Sequence, residues 1–279
     1  MVTVDTREFQ ISTDHGSLFG KSWTPSSGAQ ASATPIVLFH DSLGCVELWR
    51  DFPQQLALAT GRSVHAYDRL GFGRSDAHPA RLAADFIHAE AQGAFRQLRE
   101  ALQLDGFIAF GHSVGGGMAV GCAAAWAAQC RGLITESAQA FVEDRTIEGI
   151  RTAQQAFAEP GQLERLRRYH GDKAAWVLSA WTDSWLAPEF AGWNLDEDLS
   201  QVRCPALVIH GEHDEYGSSR HPQRIAGKIG QAATLRILPD CAHVPHRERA
   251  GVVLDEVVRW LDAVDSAPNG PHSPAAPAI

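Results

Sequence analysis

The segment that most constrains this chain is Phe107-Ile-Ala-Phe-Gly-His-Ser-Val-Gly-Gly-Gly117. A short apolar run, of the kind found in strands covered on both faces, meets a Gly-His-Ser-Val-Gly pentapeptide. Seventeen residues without a charge then follow, from Val114 to Cys130, dominated by Gly and Ala. That stretch is shorter than a comfortable membrane span and holds a Gln, so a buried helix explains it better than a transmembrane one. A strand that turns sharply into a helix puts the turn residue in a strained backbone conformation. It also brings the flanking positions so near other strands that only hydrogen fits there. The G-x-S-x-G pattern therefore reads as a nucleophile elbow carrying Ser113, with the helix amides directed at the serine oxygen. The pentapeptide alone also suits a glycine-rich turn that lets a helix pack closely on a sheet. The strand before it and the helix after it favour the nucleophile.

The rest of the chain supplies an architecture for such an elbow. Apolar runs at 35–40, 62–68, 106–111, 132–137, 206–211 and 234–238 alternate with helical patterns, preceded by two strand-like segments near 8–13 and 17–23. Strand–helix–strand order with buried strands predicts an α/β fold, a mostly parallel sheet with helices on both faces. One long amphipathic helix is predicted over 82–104, and another over 48–60 with Pro53 in its first turn. The alternation stops between 138 and 203, where the composition is helical and four of the eight tryptophans fall: Trp176, Trp181, Trp185 and Trp193. That stretch reads as a helical cap inserted into a core made of 1–137 and 204–265. The Pro/Ala/Ser-rich residues 266–279 read as a disordered tail.

Composition narrows the partners. A formal net charge of −9 with no basic run argues against nucleic acid and against an anionic membrane. The five cysteines are scattered with no C-x-x-C pair, which suits reduced thiols, and no secretory leader is expected, so the expected location is cytoplasmic. No metal-ligand spacing occurs among the His and Cys residues, and no cofactor is implied.

The segments "LFHDSLGCVELWRDFP", "AYDRLGFGRSD", "GHSVGG", "LVIHGEHDEYG" and "CAHVPHRE" occur in the order seen in capped α/β-hydrolase-fold enzymes, which the chain resembles from about residue 10 to 263. The resemblance implies a triad in the order Ser, acid, His. Asp214 stands at the acid position of the G-x-x-D pattern, with Glu212 and Glu215 beside it. Glu136, at the end of the strand after the serine helix, is a rival acid. His243 stands at the base position, and His246 is expected to support it by packing or by a hydrogen bond at a helix start. The resemblance also implies an oxyanion hole formed by the backbone N–H groups of Val114 and Ser42.

The chain departs from its look-alikes at Asp41, where many carry Gly after the loop histidine, here His40. Its carboxylate either turns away and bonds the loop or meets a polar group of the substrate. Asp41, Trp181 and Trp185 are candidate pocket residues, and Tyr169 and His170 could face the same space. Asp68 and Arg69 are read as ties between loops.

The activity implied is hydrolysis of a small carboxylic ester, or a related lactone or thioester, through an acyl-enzyme, with a small molecule as partner. One rival is C–C bond cleavage in an anionic vinylogous diketone, for which Arg167 or Arg168 could supply the cation. A non-catalytic ligand receptor on the same fold is another rival. The sequence leaves a homodimer open.

Overall fold

The computed structural model describes residues 2–26 and 33–266. The tail expected over 266–279 thus lies outside the described residues from 267 onward. Eight strands form one sheet: β1 (Val4–Thr13), β2 (Gly16–Pro25), β3 (Ile36–Phe39), β4 (Val64–Tyr67), β5 (Phe107–His112), β6 (Cys130–Glu136), β7 (Ala206–Gly211) and β8 (Ala233–Leu238). Their order is β1-β2-β4-β3-β5-β6-β7-β8. β1 and β2 form an antiparallel hairpin, and β2 pairs antiparallel with β4. From β4 through β3 to β8 every pairing is parallel.

The central strands are apolar throughout because both faces are covered. Along β3, Val37 and Phe39 join one core with Phe95, Leu98, Val120 and Ile225. Ile36 and Leu38 face the other way, into a core with Phe52, Leu56, Val253 and Val257. The first core is covered by α3 (Ala94–Ala101), α4 (Val114–Ala125) and α9 (Arg220–Ile229), and the second by α1 (Phe52–Thr60) and α11 (Ala250–Asp265). Each fully buried aliphatic side chain here contributes about 1.5–3 kcal/mol of transfer free energy.

Two helices differ from expectation. The stretch 82–104 is not one helix but two, α2 (Phe86–Ala89) and α3. Between them Glu90 turns inward to take the Tyr67 hydroxyl hydrogen bond, and Gly93 adopts a non-helical φ of −92° and ψ of −114°. A carboxyl that must reach a buried phenol does not fit the face of a continuous amphipathic helix. Likewise, α1 starts at Phe52 and not at 48. Arg50 takes φ 53°, ψ −126° and breaks the chain direction, which leaves Pro53 in the first turn.

Between β6 and β7 the chain is helical: α5 (Asp144–Ala158), α6 (Gln162–His170), α7 (Ala174–Trp185) and α8 (Asp196–Gln201). The first three pack on one another, whereas α8 packs on α4 and α9. The short α10 (Pro245–Glu248) precedes α11. Among the described residues no helix is long and apolar enough to cross a membrane.

Candidate active site

Ser113 sits between β5 and α4 with φ 55° and ψ −126°, a conformation rarely adopted by a residue with a side chain. The surroundings hold it there. Its N–H donates to the Glu136 carbonyl at 2.8 Å, and its own carbonyl accepts from Gly116 N–H at 2.8 Å. The flanking glycines leave no alternative: a Cβ on Gly111 would stand 2.0 Å from the Gly115 carbonyl oxygen, and one on Gly115 would stand 2.2 Å from that of Phe39. Both obstacles are backbone and cannot swing aside. Gly115→Ala is accordingly expected to cost about 3 kcal/mol or more, since overpacking costs 1–3 kcal/mol even where side chains can yield. Urea unfolding measures it, and an unchanged midpoint would mean that α4 can step away from β3.

The loop after β8 carries His243 to the serine. Its Nε2 lies 3.0 Å from Ser113 Oγ, and its Nδ1 lies 2.9 Å from both carboxylate oxygens of Asp214. Nδ1–H therefore donates to the carboxylate, and Nε2 keeps its lone pair for the serine proton. Asp214 is fixed in turn: its Oδ1 accepts the N–H groups of Tyr216 (2.8 Å) and Gly217 (3.0 Å). Burial pushes the Asp214 carboxyl up, but the facing His243 and these donors outweigh it and hold the group below its ordinary value. Glu212 and Glu215, beside it in sequence, are exposed. The loop bearing His243 is itself pinned by Glu248, whose carboxylate accepts from Ala242 N–H at 2.7 Å and Val244 N–H at 2.9 Å.

Glu136, the rival acid, is elsewhere. It is buried and pairs with His246, Nδ1 to Oε2 2.5 Å. His246 also packs on Trp49, with ring centroids 4.6 Å apart and the planes tilted by 41°, so it sits beneath the site without reaching the serine. Ligand-type atoms of His112, Glu136 and His246 lie within 4.8 Å of one another. Most are already engaged: His246 Nδ1 on Glu136, His112 Nε2 on the His243 carbonyl, and His112 Nδ1 beside Asp41. Within the trio the hydrogen bond runs between His246 and Glu136, while His112 is held from outside by the His243 carbonyl and Asp41.

A cavity of about 530 Å³, including its open mouth, lies over Ser113 and His243. Ser42, Asp41, Trp181 and Trp185 all line it. Val114 follows Ser113 directly and opens α4, its side chain in the core. Sequence reasoning missed Leu43, Gln139, Thr146, Ile150 and Tyr216 in the lining. Tyr216 lies two residues past Asp214, and Gln139 three past the end of β6. Both could have been suspected from their place at strand ends; Thr146 and Ile150 on α5 carried no such signal. Gln139 Oε1 lies 3.4 Å from Ser113 Oγ.

Other candidates lie outside the cavity. His170 braces the loop after β3: its Nε2 donates to the Leu43 carbonyl at 3.0 Å, while Nδ1 accepts from Gly73 N–H at 2.9 Å. Tyr169 lines a neighbouring cavity on the far side of Leu43. Arg167 is exposed and pairs with Glu164 at 2.9 Å, and Arg168 is exposed too. Trp176 packs on Phe72 and stacks on His78, and Trp193 stacks on Phe190. Asp68 and Arg69 tie loops, through Asp68 to Val46 and Arg74 N–H groups and through Arg69 to the Asp41 carbonyl.

Comparison with known proteins agrees with this fold. Residues 36–256 match the model of the Alpha/beta hydrolase family. The human "Serine hydrolase BPHL" (Homo sapiens) is 28% identical over 218 residues, covering 76% of this chain and 73% of that protein. The "1-acylglycerol-3-phosphate O-acyltransferase ABHD5" of Rattus norvegicus is 38% identical over 90 residues, 32% of this chain; the match spans only 25% of that protein's length. A thermophilic esterase from Thermogutta terrifontis superposes with a TM-score of 0.70 at 18% identity, over 92% of this chain and 98% of that one, which bears on the fold alone.

Proposed function

The chain belongs to the alpha/beta hydrolase family, and from that premise we propose that it is a serine hydrolase of small, uncharged carboxylic esters. The observation that carries the reading is His243 Nε2 at 3.0 Å from Ser113 Oγ, with Nδ1 on Asp214, at the floor of a cavity. In the proposed reaction Ser113 Oγ attacks the ester carbonyl carbon while its proton passes to His243 Nε2. The carbonyl π electrons move onto oxygen, and the N–H groups of Ser42 and Val114 receive that charge. Collapse expels the alkoxide, which takes the proton back from His243 and leaves as the alcohol. Water, deprotonated by the same nitrogen, then attacks the acyl-serine carbonyl; the acyl–Oγ bond breaks, His243 returns the proton to Ser113 Oγ, and the acid is released. Asp214 holds the imidazole in the tautomer this sequence needs.

The helices α5 and α7 supply Thr146, Ile150, Trp181 and Trp185 to the cavity, which supports reading 138–203 as a cap that selects substrate. The same lining speaks against cleavage of an anionic diketone. Among the described residues that line the cavity, none is Arg or Lys, and its formally charged acid is Asp41. A carboxylate substrate would lose its hydration without gaining a cation. Neutral p-nitrophenyl acetate or butyrate is therefore expected to show at least about a hundredfold higher kcat/KM than the p-nitrophenyl hemisuccinate, a difference of roughly 2.7 kcal/mol. Preference for the hemisuccinate would overturn the uncharged-substrate reading. Failure of Ser113 to react with a small fluorophosphonate would overturn the hydrolase reading and favour a ligand receptor.

A further inference from the structure

His112, the residue before Ser113, is buried to 1% exposure, yet both of its ring nitrogens have partners. Nε2 lies 2.8 Å from the backbone carbonyl oxygen of His243, and Nδ1 lies 3.3 Å from Asp41 Oδ2. A carbonyl can only accept, so Nε2 carries a hydrogen. An ionised carboxylate 3.3 Å away can only accept, and its charge favours a hydrogen on Nδ1 too. Asp41 keeps a third of its side chain exposed, which favours its ionised form.

We propose that His112 is a positioning residue, held as an imidazolium, that ties the loop bearing Ser42 and the loop bearing His243 to the nucleophile elbow. Through Asp41 it holds the oxyanion loop, and through the carbonyl of His243 it holds the base. It also neutralises the Asp41 carboxylate, which would otherwise oppose negative charge developing beside Ser42. The inference rests on the serine-hydrolase reading above.

The loop is shaped around this carboxylate independently of His112. Asp41 Oδ1 accepts Leu43 N–H at 2.8 Å, and a Cβ on Gly44 would stand 2.8 Å from that same oxygen. With His170 holding the Leu43 carbonyl from α6, the segment 41–44 is fixed from three sides.

The groups facing His112 decide its titration. They are Asp41 after β3, Glu136 at the end of β6, and the rings of His243 and His246 at 5.1 and 5.0 Å. Trp49 also packs on the ring and does not titrate. Burial pulls the ring down, but the Asp41 hydrogen bond, the charges of Glu136 and Asp41 and the His243 carbonyl together raise it to about 9. Burial pushes Asp41 up, and His112 more than reverses that, leaving its carboxyl well below the usual range. The sign follows. The stabilisation from a raised histidine is complete below its unfolded value and is lost as pH rises through about 9. Above that pH a lone pair on Nδ1 faces a carboxylate and the oxyanion loop loses its tie to the elbow.

The test is the rate of fluorophosphonate labelling of Ser113 from pH 6 to 10.5 in wild type and in Asp41→Asn, with ¹⁵N chemical shifts of the His112 ring. With its oxygen kept on Leu43 N–H, Asn removes the charge and turns an N–H₂ donor, in place of Oδ2, towards His112 Nδ1. Wild-type labelling should fall as pH rises through about 9. In Asp41→Asn the falling limb should move at least about one unit lower, with labelling down about twofold at pH 8 and nearly tenfold at pH 10. Both His112 nitrogens should be protonated at pH 7.5 in wild type. A falling limb unmoved by Asp41→Asn overturns the proposal and leaves the hydrolase reading intact. A neutral His112 ring in wild type at pH 7.5 overturns it whether or not Ser113 reacts. Lack of labelling at every pH overturns the hydrolase reading itself, and the positioning role with it.

Discussion

Ser113→Ala and His243→Ala should each lower kcat/KM toward p-nitrophenyl acetate by about 10⁵–10⁶-fold, and the double variant should fall hardly further. The near-equality follows from the geometry. Ser113 Oγ is a poor nucleophile until its proton can leave, and the acceptor within reach is His243 Nε2 at 3.0 Å. The base without the serine has nothing to deprotonate but water, and the serine without the base stays a weakly nucleophilic alcohol. A double variant losing the product of the two single effects would mean the residues act separately, which a shared proton forbids. His246→Ala gives the contrast. His246 is buried on Trp49 and Glu136, so its loss should appear in the unfolding midpoint, with kcat/KM reduced by less than about tenfold. Steady-state rates together with active-site labelling separate the two histidines.

The fold was readable in the sequence where a residue's environment is set by its near neighbours. In β3, β5 and β7 each apolar side chain faces one of two cores, and the apolar run records that directly. Gly111 and Gly115 are dictated by backbone atoms 2.0 and 2.2 Å from where a Cβ would stand, so a five-residue pattern carries the elbow. What could not be read depends on partners far away in sequence. The break at Glu90 comes from the Tyr67 hydroxyl on a distant strand, which no helical periodicity encodes. Ile150 looks like any core residue of an amphipathic helix until α5 is laid over the sheet. Asp41 stood out as a departure, but its partner His112 lies 71 positions on, and only the parallel pairing of β3 with β5 brings the two together. The arginines at 167 and 168 show the opposite error: a plausible charge in the insert, placed by the fold at an exposed surface.

The two candidate acids separate by the consequences of removing each charge. Asp214→Asn should reduce kcat by about 10⁴-fold. An amide at that position can offer its N–H₂ to Nδ1, which stabilises the tautomer with the proton on Nε2 and leaves no lone pair for Ser113. It also removes the negative charge that stabilises the imidazolium formed during attack. Because burial pushes the Asp214 carboxyl up and the facing His243 and nearby donors bring it down, its ionisation contributes stability above the unfolded value of about 3.9 that is lost as pH falls through its lowered folded value. Asp214→Asn should therefore be less sensitive to acid unfolding than wild type. Glu136→Gln behaves otherwise. Gln can still accept from His246 Nδ1, and the Glu136 main-chain carbonyl that takes Ser113 N–H is untouched. Its kcat at pH 7, well below the His112 limb, should stay within about tenfold of wild type, with a stability loss of about 1–3 kcal/mol. Rates at pH 7 and urea unfolding of both variants decide the matter. A collapse of kcat in Glu136→Gln with Asp214→Asn active would transfer the acid's role to β6 and require His243 to turn away from the carboxylate it now faces.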